Sequence, residues 1–279
     1  MARRARSDGM SSYVLAGDDE DLRRLMGVSE ILHPFLRAGL NRSGVRSGWS
    51  VLDVGCGPGG ALSVLSEAVG ADGRIVGIDR QTEALATAGR LMRALGVENV
   101  KLVEGDAAHL DPVIIGGPFD LILTRMFMMH QPDPDRMLAA LWHLLRPGGI
   151  LLCQEPMDEP APRAWPAAPV LGEYWALFHR LLYKSGIPAG LVASLPGRGR
   201  KAGFEVAHTE GYYLVAEPSL ASLHVATLVS AKPRMLASGV ATEERIDRLV
   251  DEMRAVATGE FDWVTSGVFL EVALRRPEE

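Results

Sequence analysis

From residue 50 onward, short apolar runs alternate with stretches in which apolar residues recur every three or four positions. The runs at 51–55, 74–78, 100–104, 119–124 and 150–155 predict strands. The intervening segments 59–69, 81–95 and 135–145 have helical spacing, with Leu62 and Leu65 on one side of the first. The strand segments are β-branched or Leu-rich and apolar on both sides, which suits a parallel sheet buried on both faces. Strand–helix alternation with right-handed crossovers predicts a doubly wound α/β sheet, with ligands at the carboxyl ends of the strands.

The ends of the chain read differently. Residues 1–12 lack apolar periodicity and are expected to form a disordered tail. Residues 13–48 are expected to be helical, with Gly27 and Pro34 dividing a long helix in two. After Glu155, five prolines between Pro156 and Pro169 make a stiff connection. Helices are expected at 170–184, 192–202, 219–231 and 242–257, and strands at 204–215 and 264–275. These two strands would complete a seven-stranded, mostly parallel sheet as antiparallel sixth and seventh members. No Ser/Gly-rich linker interrupts the chain, so 1–279 reads as a single domain with its core at 49–156. Segments 157–202 and 216–260 would form a helical lid over the ligand edge.

The stretch VLDVGCGPGG (51–60) carries the chemistry. An apolar strand breaks into a turn with Gly55, Gly57, Gly59 and Gly60, where the backbone can take positive φ and approach a ligand. The following helix N-terminus adds N–H groups and a positive dipole end. Gly55, Gly57 and Gly60 also fit a dinucleotide fingerprint, with Asp79 near the place of its ribose-binding acid. Asp53 argues for another ligand: a carboxylate just before the loop repels a pyrophosphate and suits an ammonium group.

With LDVGCGPG in view, the chain resembles the class I S-adenosylmethionine (SAM)-dependent methyltransferases, whose first motif is a strand ending in this pattern. FDLILTRMFMMHQPD (119–133) and LLRPGGILLCQEP (144–156) resemble the family's fourth- and fifth-strand segments. The likeness covers roughly 50–156 and is greatest to small-molecule enzymes of the quinone-biosynthesis type. It implies a Rossmann-like fold, SAM as cofactor, and methyl transfer to an O, N or C atom of a small, largely apolar metabolite. It implies that Gly55, Gly57 and Gly59 approach the methionine part of SAM, near Asp53. It further implies that Asp79, with Arg80 beside it, accepts from the ribose hydroxyls, and that Asp106 and the Ala107 backbone meet the adenine. Tyr13 and Arg125 are candidate partners of the SAM carboxylate, since both donate hydrogen bonds.

Methyl transfer needs alignment and exclusion of water, and a base only if the nucleophile must lose a proton. His130, just after the fourth strand, is the candidate catalytic residue, ahead of His33, His179 and His224. A structural role in orienting its loop is the competing reading. Glu155, Met129, Tyr174 and Phe178 are candidate substrate contacts. Met126, Phe127, Met128, Met157 and Trp175 could share that cavity or simply fill the core.

Composition narrows the partners. Formal charge is 29 minus 35, or −6, and aromatics are 6 %, which points away from nucleic acid. No apolar run approaches membrane-spanning length. Cys56 and Cys153 form no CxxC pair, so neither a metal site nor a disulfide framework is expected, and both read as buried residues in a reducing cytoplasm. The partner is a small molecule, and the composition admits a homo-oligomer. Three alternatives remain at this point: a SAM-binding fold used for a cyclisation, an NAD-dependent oxidoreductase and, more weakly, a non-catalytic binding module.

Overall fold

A computed structural model describes residues 19–110 and 112–278. The tail 1–12 and Tyr13 lie outside the described residues. In chain order the first half comprises α1 (Asp19–Arg42), β1 (Ser50–Val54), α2 (Leu62–Val69), β2 (Arg74–Asp79), α3 (Thr82–Ala94), β3 (Val100–Glu104), α4 (Pro112–Ile115), β4 (Phe119–Arg125), α5 (Pro134–Leu144) and β5 (Leu145–Pro156). The second half comprises β6 (Ala164–Trp165), α6 (Pro169–Lys184), α7 (Leu191–Lys201), β7 (Glu205–Tyr212), β8 (Val215–Ala216), α8 (Ala221–Ala237), α9 (Glu243–Thr258), β9 (Trp263–Thr265) and β10 (Phe269–Arg275).

Seven strands form one sheet in the order β3-β2-β1-β4-β5-β10-β7. The first five pair in parallel. β10 is antiparallel to both β5 and β7, so β7 runs with the first five and only β10 is reversed. The expectation of two antiparallel strands is corrected to one. The reason is topological: α6 and α7 return the chain to the starting edge before β7, as in any parallel crossover.

Alternate residues of each strand enter opposite cores. Leu52, Val54, Ile122 and Leu151 face one core, while Val51, Leu121, Leu123 and Ile150 face the other. The second core is closed by α2, α3 and the end of α1, through Leu62, Leu65, Ala88, Leu36 and Leu40. The first core extends without a break into α6, α8 and α9, through Tyr174, Leu181, Leu228 and Met253. α7 packs on β7, β10 and α5, so it belongs to the sheet layer and not to a lid.

Three other boundaries differ from the sequence pattern. α1 runs unbroken through Gly27 and Pro34. Glu30 and Pro34 are both exposed, so water can satisfy the carbonyl that Pro34 leaves without a partner. Burial of Leu32, Leu36 and Leu40 then holds the helix together. The expected strand 264–275 breaks at 266–268, and 204–215 ends at Tyr212. The detached ends, β9 and β8, join β6 in a small antiparallel sheet of order β6-β9-β8. Among the described residues no helix is long and apolar enough to cross a membrane.

Candidate active site

The carboxyl ends of β1, β2 and β4 open onto a cleft of about 210 Å³. Gly55 and Cys56 donate their N–H groups to the Ile78 carbonyl, which ties the glycine turn to β2. The Gly57 N–H donates to Asp79 Oδ2 at 2.9 Å, and the Gln81 N–H to Oδ1 at 2.9 Å. Gly57 has a φ of +52°, and a Cβ there would meet nothing within 4 Å, because it would project into open space. Gly55 is confined instead: its φ is +71°, and a Cβ would lie 2.5 Å from the Phe127 ring. A side chain is thus strained at both positions and would collide at Gly55.

Asp53 and Arg125 end adjacent parallel strands on the same face, since Asp53 is in register with Leu123, two residues before Arg125. Both line the cleft. Asp53 is buried, and its Oδ2 has no hydrogen-bond partner among the described residues. Burial pushes this carboxyl up to about 7; Arg125 works against that shift and Asp79 adds to it. Arg125 donates to Ser29 Oγ on α1, while its buried Nη1 has no hydrogen-bond partner among the described residues. A buried acceptor and a buried donor of opposite charge therefore share one wall. Such groups are costly unless a ligand completes them, and a zwitterion carrying an ammonium and a carboxylate group would do so.

Asp106 and Ala107 line the far end of the cleft, as does exposed Arg80. Asp106 also caps a short 3-10 helix, accepting from the Ala108 N–H at 3.0 Å through one oxygen. The other end of the cleft adjoins a second chamber of about 120 Å³. Leu25, Met126 and His130 line both. Met126, at the junction, takes a φ of +53° and is the one non-glycine residue with positive φ among those described. Backbone strain of this kind concentrates at ligand sites. The chamber is walled mostly by apolar residues, among them Met129, Trp175, Phe178, Leu223 and Phe269, with Tyr174 and His224 also present.

The histidines separate cleanly. Burial pushes His130 down to about 4, helped by the positive charge of Arg24, so it is neutral at pH 7 and has no titration near neutrality. His33 lies within 2.7 Å of the Gly60 carbonyl and holds α1 to the glycine turn. His179 lies 3.0 Å from the Trp175 carbonyl inside the aromatic packing of α6. Neither lines the cleft or the chamber.

Glu155 is placed apart from its expected role. It is fully buried and accepts the N–H groups of Phe127, Met128 and Met129 at 3.2, 2.9 and 3.3 Å. Burial raises its carboxyl to about 7 despite these donors. It lines neither cavity. Glu155 is corrected from a substrate contact to the residue that holds the turn carrying His130. Met128 is likewise core, and Met157 packs beside it outside the chamber.

Comparison with known proteins agrees with this geometry. Residues 46–180 match the family model described as a methyltransferase domain. These 135 residues, just under half of the chain, are similar to methyltransferase domains. Its curated relatives include the nocamycin O-methyltransferase of Saccharothrix syringae, 36 % identical over 143 residues, which are 50 % of this chain and 50 % of that one. Another is the demethylmenaquinone methyltransferase of Staphylococcus aureus (strain MRSA252), 34 % identical over 139 residues, or 50 % and 53 % of the two chains. The chain spans about half the length of the curated relatives it matches. A SAM-dependent methyltransferase from Aquifex aeolicus shares the fold, with a TM-score of 0.54 at 19 % identity over 92 % of this chain and 98 % of that one.

The structure thus brings Asp53, Gly55, Gly57, Asp79, Arg80, Asp106, Ala107, Arg125 and His130 to one cleft. Gly59 does not line it: a Cβ there would meet Ala88 of α3 at 2.9 Å, so this glycine serves the packing of the turn on α3. Met129, Tyr174 and Phe178 meet in the adjoining chamber. α1 contributes to both cavities, which the sequence pattern does not signal. Leu25 and Ser29 line the cleft, and Arg24, Val28, Ile31 and Leu32 the chamber. Their helical spacing was visible, but nothing in it separates a helix that covers a ligand from one that only packs.

Proposed function

We propose that this chain transfers a methyl group from SAM to an O, N or C atom of a small, largely apolar molecule. The observation that carries this reading is the pair of incomplete buried groups, Asp53 Oδ2 and Arg125 Nη1, in a cleft that opens onto an apolar chamber. Asp53 would accept from the ammonium of SAM and Arg125 would donate to its carboxylate. Asp79, with Arg80 nearby, would take the ribose, and Asp106 with the Ala107 backbone the adenine. When bound, SAM supplies a methyl group activated by a sulfonium. The residues of this chain then need to align the acceptor and exclude water.

The chamber is suited to that task. His130 and Met126 stand where the two cavities meet. A neutral His130 can hold the acceptor by a hydrogen bond without carrying charge itself. Helices α6, α8 and α9 form the lid in this reading, with α1 as the wall common to both sites. The protein would work in the cytoplasm, on free small molecules and not on nucleic acid, and its acidic net charge and unpaired cysteines accord with that. A homo-oligomer is compatible with the same chemistry.

Calorimetry with SAM, S-adenosylhomocysteine and NAD tests the cofactor. The two sulfur ligands should bind and NAD should not; NAD binding with no heat from SAM would refute the reading. His130→Ala should leave SAM affinity nearly unchanged. If the residue acts as a general base, turnover should fall roughly 10²–10⁴-fold. A modest, parallel loss of affinity and rate would assign it to the loop.

A further inference from the structure

Arg24 is 8 % exposed and lines the acceptor chamber. Its Nη2 lies 2.7 Å from Asp21 Oδ1, and its Nε donates to the same oxygen at 2.8 Å. The Ser230 hydroxyl donates to that oxygen at 2.9 Å. Asp21 does not line the chamber; its counter-charge lies behind Arg24. On the other side, Arg24 Nη1 reaches Thr227 Oγ1 at 3.4 Å. A guanidinium carries five N–H donors in a planar fork, more than Asp21 and Thr227 occupy.

Among the described residues no aspartate or glutamate lines this chamber. Its other polar side chains are His130, Tyr174, His224, Thr227 and Ser266. Burial pushes both histidines down to about 4, so they are neutral at pH 7. The buried phenol of Tyr174 is pushed up and stays protonated. Among the described residues Arg24 is therefore the single formal charge on a mostly apolar wall. Pinning α1 to α8 does not explain it, because a buried ion pair adds little stability over apolar residues of the same size. It also does not explain why the cation, and not its carboxylate, faces the cavity.

We infer that the molecule taken by this chamber is an apolar acid, bound as its anion with the oxyanion on Arg24. This rests on reading the chamber as the acceptor site. A carboxylate, an enolate or an acidic phenolate would present the required oxygen to Nη1, the end of Arg24 not turned toward Asp21.

The test compares 2-naphthoate with 2-naphthamide, which match in shape and differ in charge. Naphthoate should bind at least tenfold more tightly. The double variant Asp21→Asn/Arg24→Met removes the cation without stranding a buried carboxylate. It should abolish the preference while binding S-adenosylhomocysteine as tightly as the parent. Equal affinity for the two probes, or a preference that survives in the double variant, would overturn the inference and leave the methyltransferase reading standing. If neither probe binds to a protein that takes up S-adenosylhomocysteine, the acid inference and the assignment of the chamber both fail, and the cofactor site does not. Failure to bind S-adenosylhomocysteine would count against the cofactor site alone.

Discussion

The proposed cofactor cleft and acceptor chamber meet at His130 and Met126 yet are built in opposite ways. The cleft comes mainly from strand ends and tight turns, where neighbours in sequence are neighbours in space. Its groups are polar, and several are backbone atoms or short side chains fixed by the sheet. The chamber comes from α1, α6, α8 and scattered loop residues separated by up to about 240 positions in the chain. Its walls are apolar side chains that also belong to the main core, such as Tyr174 and Phe178. In the proposed reading the difference teaches that the sheet edge sets which cofactor chemistry is available, while packing of the helices sets which acceptor fits.

This contrast can be broken by substitution. Phe178→Ala should have the largest effect on stability, about 3–5 kcal/mol, because the ring is buried in the continuous core. Denaturant melts should show that loss while SAM affinity in the folded variant is unchanged. A matching fall in SAM affinity would mean that the two sites are not separable. Gly55→Val is the converse. Strain at positive φ and collision with Phe127 should cost about 2–4 kcal/mol and remove SAM binding altogether. A folded Gly55→Val variant that binds SAM normally would mean that the turn is not the cofactor cradle.

Smaller effects sharpen the picture. Asp79→Ala should weaken SAM by about 1.5–3 kcal/mol, the range for hydrogen bonds to a charged group. Part of that loss would come through the Gly57 N–H that Asp79 now accepts, and titration calorimetry reads the total. The smallest effect is on pH. In the cofactor-free protein the Asp53 carboxyl sits at about 7, raised by burial. An ammonium ligand prefers the ionised form, so SAM affinity should fall as pH drops below 7 and level off above it. The slope should be at most about tenfold per pH unit, or about 1.4 kcal/mol. The stability of the free protein should move the other way. A carboxyl raised above its unfolded value favours folding at low pH and loses that contribution as pH rises through about 7. An affinity flat from pH 6 to 8 would remove Asp53 from the ammonium contact.

The same contrast explains what could be read in the chain. That the strand run, Gly55, Gly57, Asp79 and Asp106 would meet at one cleft was legible because their spacing is local and each follows a strand end. Arg125 was legible from its place after the fourth strand. Glu155 misled: the end of the fifth strand also faces the ligand edge, but three N–H groups from 127–129 turn its carboxylate inward. Arg24, Asp21 and Thr227 gave no local signal, since their meeting depends on how α1 lies across α8. Pro34 and Gly27 suggested a break that exposure of one helix face made unnecessary.

The most direct measurement is a crystal structure of the protein with S-adenosylhomocysteine. The ligand should lie in the cleft with its ammonium within hydrogen-bond distance of Asp53 Oδ2 and its carboxylate on Arg125. Its sulfur should face the His130 junction. A ligand bound elsewhere, or one in this cleft with its ammonium turned away from Asp53, would contradict the account.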